Sequence, residues 1–160
     1  MKTAIIYTSK HGSAEKLANE LAEGIGRKAC RIINLKTEKD VDLSAFDQVV
    51  LGASIYAGTI QKRMRKFVES RQHELMHKRL GLYICAMDKS RFDQELKDAW
   101  PDLLMEHATC ARVMGGEFNL SDMNFLERMA VKKVSGVTES LRAYRQDAIN
   151  EMIQSMKQEN

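Results

Sequence analysis

The chain has 160 residues, 44% hydrophobic and 29% charged, with a formal net charge of +3 at pH 7. That length builds one domain with a real core, and no apolar run reaches the ~20 residues that span a bilayer. Cys30, Cys85 and Cys110 form an odd set without a C-x-x-C pair, and His11, His73, His77 and His107 lack metal-ligand spacing, so reduced thiols are expected and a metal site is not.

Thr3–Tyr7 is the first strand-like run, and with a strand starting this early no leader peptide is expected. It stops at Thr8-Ser9-Lys10-His11-Gly12-Ser13-Ala14, a hydroxyl-rich loop around one glycine. That loop enters a helix predicted over Glu15–Arg27, where Leu17, Ala18, Leu21, Ala22 and Ile25 recur at helical spacing. Free backbone N–H groups and the positive helix end would converge there, the outline of a phosphate cradle. The plainer alternative is that Ser9 or Ser13 caps the helix.

A second strand is predicted at Cys30–Leu35, followed by a polar stretch, Lys36–Phe46, with room for a turn of helix. The third strand, Gln48–Leu51, leads into Gly52-Ala53-Ser54-Ile55-Tyr56-Ala57-Gly58-Thr59. Small residues there would let a flat ligand approach the backbone while Tyr56 offers a stacking ring, or Tyr56 anchors the loop on the sheet edge. The helix Gln61–His73 carries Lys62, Arg63, Arg65, Lys66 and Arg71, with Lys78 and Arg79 beyond it. Such a run is either a solvated face or a docking surface for an acidic partner or substrate.

The fourth strand, Gly81–Cys85, opens into Ala86-Met87-Asp88-Lys89-Ser90. A helix over Phe92–Ala99 should stop at Trp100-Pro101, since proline removes a donor and clashes with the preceding turn, leaving a short piece at Leu103–His107. Ala111–Met114 is the fifth strand and Leu141–Lys157 the last predicted helix. Alternating strands and helices argue for an α/β fold, a doubly wound five-stranded parallel sheet of order 2-1-3-4-5. Ligands of such sheets sit beyond the carboxyl ends of the strands, here the loops after strands one, three and four. No Ser-His-Asp, Cys-His or paired-carboxylate constellation offers a rival mechanism. A phospho-receiver would need acidic residues where Thr8-Ser9 stands.

These residues resemble the flavodoxin family in Ile5-Ile6-Tyr7, Ser9, Gly12 and Ala18, although Ala14 stands where the family closes its loop with threonine. Within that superfamily the chain looks most like the menaquinone-dependent protoporphyrinogen dehydrogenases. The likeness lies in Val49–Ile55, Phe67-Val68 and Cys110–Gly116, and in a segment around Phe125–Met129 and Val134–Gly136 that is shorter and more polar than the family's. The resemblance implies a flavodoxin-like domain spanning residues 1–160 with FMN as cofactor. Ser9, Lys10, His11, Gly12, Ser13 and Ala14 would surround the phosphate, Ser13 compensating for the missing threonine and Lys10 pointing to solvent. The isoalloxazine would lie between Ser54, Ile55, Tyr56, Ala57 and Gly58 on one side and Ala86, Met87 and Asp88 on the other.

The implied activity is FMN-dependent oxidation of protoporphyrinogen IX, or another small-molecule donor, with a quinone acceptor. A non-enzymatic electron carrier is the alternative, against which the basic charge weighs, carrier flavodoxins being typically acidic. No nucleic-acid partner is expected. The expected location is cytoplasmic, with at most peripheral contact at the inner membrane face. Phe118–Gly136 would either cover the flavin site, with Met123, Phe125, Leu126 and Met129 facing a pocket, or only pack on the sheet edge.

Overall fold

Five parallel strands form one sheet in the order β2-β1-β3-β4-β5 in a computed structural model that describes residues 1–118, 127–129, 133 and 141–157. They are β1 (Thr3–Thr8), β2 (Cys30–Asn34), β3 (Gln48–Ser54), β4 (Arg79–Cys85) and β5 (Cys110–Val113). The connecting helices are α1 (Ser13–Ile25), α2 (Lys62–Leu75), α3 (Phe92–Ala99) and α4 (Asp102–His107). A two-stranded antiparallel ribbon, β6 (Gly115–Phe118) with β7 (Leu141–Tyr144), follows, and α5 (Gln146–Lys157) closes the described chain.

Period-two alternation along the strands sorts their side chains onto two faces. Ala4, Ile6, Val49, Leu51, Leu82 and Ile84 pack on one side with Met64 and Phe67 of α2 and Leu104 of α4. Ile5, Tyr7, Val50 and Tyr83 pack on the other with Leu17 and Leu21 of α1 and Ile149 and Met152 of α5. Both faces are covered, which is why β1 and β3 read as unbroken apolar runs. The expected strand order is the observed one. The break at Trp100-Pro101 also falls between α3 and α4. The polar stretch after β2 holds a single 3-10 turn, Leu43–Ala45, capped by the Asp42 carboxylate accepting from Ser44 N–H.

Two expectations need correction. The third strand does not end at Leu51: Gly52, Ala53 and Ser54 belong to β3 and pair with Tyr83, Ile84 and Cys85. Gly52 serves packing rather than a loop, since a Cβ there would lie 1.9 Å from Cζ of Tyr83. The Tyr83 ring crosses the strand at that gap, and its hydroxyl donates to the Ala14 carbonyl at 2.7 Å.

Nor is Leu141–Lys157 one helix. Leu141–Tyr144 pairs with Gly115–Phe118, and the helix starts only at Gln146, where the buried positions Ala148, Ile149, Met152 and Met156 take up helical spacing. The Leu-Arg-Ala-Tyr alternation before them has the strand period.

Candidate functional site

The loop after β1 turns at Gly12, whose φ of 95° suits glycine and no other residue well. Gly12 precedes α1 without a side-chain cap: neither Ser9 nor Ser13 plays the capping role open to it. Instead the Ser9 hydroxyl accepts from Gly12 N–H at 2.9 Å and holds the loop closed. The first N–H groups of α1 have no helical acceptor, and Glu15 is the acidic residue of its first turn. A Cβ at Gly12 would meet nothing within 4 Å, so the space above the turn is open.

Ser13 is buried, with its hydroxyl turned to the ribbon. It accepts from Glu117 N–H at 3.1 Å and lies 3.4 Å from the Glu117 carbonyl. The hydroxyl expected to make up for the missing threonine is therefore engaged elsewhere. Lys10 is exposed, and its ammonium is engaged as well. Its ammonium sits 3.7 Å from the Tyr56 ring centroid and 3.0 Å from the Glu127 carboxylate. His11 faces inward, 16% exposed at its side chain, with Nε2 3.6 Å from the same carboxylate and no hydrogen-bond partner. Glu127 thus brings one negative charge against the two basic residues of this loop.

The β3 loop closes as a two-residue turn between Tyr56 and Thr59, each donating its N–H to the other's carbonyl, at 2.9 and 3.2 Å. Both central residues have positive φ, 50° at Ala57 and 77° at Gly58, as the tight hairpin turn demands. Ala57 is strained there and exposed, at the tip of the loop. Tyr56 is half-buried, 6.2 Å between ring centroids from His11.

The β4 loop lies alongside. Ile55 N–H donates to the Cys85 carbonyl at 2.8 Å and Ala86 N–H to Gly115 at 3.0 Å. Ile55 is half-buried, packed on the core, and Ala86 is part of that core, forming the floor rather than a wall. Met87 lies beside Gly116, next to Ser13 and Cys85. Asp88 accepts from Ser90 N–H and its hydroxyl at 3.1 and 2.6 Å, capping a 3-10 turn. The Ser54 hydroxyl is buried beside the Cys85 thiol. Burial pushes the Cys85 thiol up to about 12, against the lowering side-chain hydrogen bond with Ser54, so at neutral pH it is protonated and no nucleophile.

Three residues complete the site: Gln61 and Glu117, which sequence reasoning missed, and Glu127, which lies in the Phe118–Gly136 segment. Gln61 accepts from the Thr8 hydroxyl at 2.9 Å and donates to the Ser54 carbonyl at 2.9 Å, tying the first loop to the second. Glu117 and Glu127 reach it from beyond β5. No local pattern marks any of them; only the sheet order brings them here. Among the described residues, no group of three His, Cys, Asp or Glu could hold a metal ion, and no helix is long and apolar enough to cross a membrane. Of the segment read as either covering the site or packing on the sheet edge, Met123, Phe125 and Leu126 lie outside the described residues, and Met129 is exposed.

The three loops meet at one end of the sheet, with main-chain donors at the start of α1 and the Tyr56 ring beside Lys10 and His11. Such a set fits a ligand with a phosphate at one end and a flat ring system at the other.

Comparison with known proteins agrees with that geometry. Residues 4–143 match a family model described as a flavodoxin domain. No curated protein sequence matches. Among solved structures, the rubredoxin oxygen:oxidoreductase of the anaerobe Desulfovibrio gigas superposes with a TM-score of 0.61 at 14% identity, over 98% of this chain and 36% of its own. This chain therefore spans about a third of that protein. Oxidised flavodoxin 1 of Bacillus cereus gives 0.55 at 15% identity, over 86% of this chain and 100% of its own. A flavodoxin from the domain Archaea gives 0.54 at 12%, over 99% and 100%. At these identities the likeness is one of fold.

Proposed function

The chain belongs to the flavodoxin domain family, and from that premise we propose that it is an FMN-binding redox protein acting as an oxidoreductase. The observation that carries the reading is the meeting of the loops after β1, β3 and β4 at the point where the strand order reverses. Main-chain N–H groups of Ser9 to Ala14, other than that of Gly12, which donates to the Ser9 hydroxyl, hold the FMN phosphate at the N-terminus of α1, with His11 as the side chain facing inward. Ser54 to Gly58 and Met87-Asp88 flank the ring system, and Ala86 supports it from below. Bound FMN supplies the electron exchange, and the protein supplies position, charge and exclusion of water.

The donor is a reduced tetrapyrrole of the protoporphyrinogen kind or another small molecule, and the acceptor is a quinone. Support for this finer reading is the likeness of Val49–Ile55 and Cys110–Gly116, together with the basic α2. A second reading, an electron carrier without its own substrate, is favoured by the full coverage of the two flavodoxin chains above.

The test begins with the absorbance of the purified protein and an FMN titration followed by flavin fluorescence. Tight one-to-one quenching is expected, and its absence overturns the cofactor. Anaerobic turnover with protoporphyrinogen and a menaquinone analogue then separates enzyme from carrier. Replacing Gly12→Asp should abolish FMN binding, because the side chain must take a positive φ and sets a carboxylate against the phosphate. Retained affinity in that variant would move the phosphate away from this loop.

A further inference from the structure

The basic run of α2 is not spread evenly over solvent. Together with the chain just past β2 it walls a groove of about 480 Å³, with Lys39 on one side and Arg63, Lys66 and Arg71 on the other. Buried Phe67 and Leu35 form its floor. We propose that this groove is a docking surface for an acidic segment of a protein partner that exchanges electrons at the neighbouring site. The electron-exchange part rests on the second reading above, that of an electron carrier; the docking part does not.

Four cations in the groove face one acid, Asp40, whose side chain is fully exposed. Two of the four serve as fixed walls. Arg63 donates to the Leu35 and Lys36 carbonyls at 2.9 and 3.2 Å, and Arg71 donates to Glu74 at 2.8 Å. Lys39 and Lys66 have no ion-pair partner among the described residues, and both are exposed. Fold stability does not explain the cluster. Lys62, Arg63, Arg65 and Lys66 sit at the positive end of the α2 dipole, whose first turn holds no acidic residue, so each opposes the helix field. The same placement strengthens the positive potential that an acidic partner would meet.

The position is also apt. Leu35 follows the carboxyl end of β2, and Arg63, which holds its carbonyl, sits in the first turn of α2 just after the β3 loop, so this end of the groove lies toward the strand ends that carry the candidate site. Its volume exceeds what a single phosphate needs and suits several side chains on an apolar floor. A membrane surface fits less well. Among the described residues, the exposed large hydrophobics Met1, Leu103 and Met129 all lie outside the groove, so none of them is an apolar anchor beside its charges.

The test uses the FMN-loaded protein and a fluorescein-labelled oligoglutamate peptide, read by anisotropy at low and high salt. Binding should be salt-sensitive and fall roughly tenfold or more in Lys39→Glu/Lys66→Glu. It should persist in Lys28→Glu/Lys157→Glu, which makes the same charge change at exposed sites elsewhere. Four results overturn the proposal: no peptide binding, equal loss in both double variants, displacement by inorganic phosphate at equal charge concentration, or phosphatidylglycerol vesicles bound through Lys39 and Lys66 in place of the peptide. Circular dichroism checks that both variants fold. Flavin absorbance of the same samples reads the cofactor assignment separately, so either idea can fail alone.

Discussion

Glu127 is the residue on which the charge of the proposed phosphate loop turns. Its carboxylate lies 3.0 Å from Lys10 and 3.6 Å from His11, and an incoming phosphate dianion meets that negative charge as well as the loop donors. Glu127→Gln should therefore tighten FMN binding, by roughly three- to tenfold for one partly screened charge. Fluorescence titration of FMN measures it. Weaker binding in the variant would instead make Glu127 the group that holds Lys10 in place. Nothing near Lys10 in the chain announces this contact. The local pattern there, one lysine before one histidine and one glycine, says only that the loop is basic and tight. Ser13 teaches the same lesson: a hydroxyl at the mouth of a phosphate loop reads as a ligand until Glu117 arrives to claim it.

At the scale of the element, β3 shows what periodicity reveals and what it hides. Its apolar run marks a doubly covered strand, but Gly52 looks like punctuation in sequence and is in fact a socket. A Cβ at that position would sit 1.9 Å from the Tyr83 ring. Gly52→Ala should lower stability by about 2–4 kcal/mol, because the buried ring cannot move without breaking its bond to α1. Urea denaturation gives the value. A loss below ~0.5 kcal/mol, the range of an ordinary surface change, would show that the ring relocates freely. The ribbon was hidden for a different reason. Four residues, Leu141–Tyr144, are too few for a period to stand out against the long helix that follows, and their partner strand lies across a segment of chain that breaks the pattern.

For the whole molecule, strand order was legible because it depends on the rhythm of many elements, and errors at single boundaries do not disturb it. The contacts that finish the site were not, because they join residues such as Ser13 and Glu117 or Thr8 and Gln61 that only the completed sheet brings together. The stability of the assembled domain should carry a pH signature from Glu95. Burial, aided by nearby Asp88 and Asp98, raises its pKa against the opposing pull of Arg91. A carboxyl whose folded pKa is raised favours the fold while protonated, and this contribution is lost as pH rises through the folded value. Glu95→Gln should thus raise Tm at pH 7 and change it little at pH 4, as read by scanning calorimetry. An equal shift at both would exclude titration as the cause. The β6–β7 ribbon has a last consequence. Because Phe118 and Leu141 are direct partners across it, the chain leaves the ribbon and re-enters it at one gateway. Replacing residues 119–140 by a tight Asn-Gly turn should leave the parent scaffold folded, and loop closure alone predicts a gain on the order of 1–2 kcal/mol. Such a gateway lets the chain exchange one attachment for another while the sheet beneath keeps its shape.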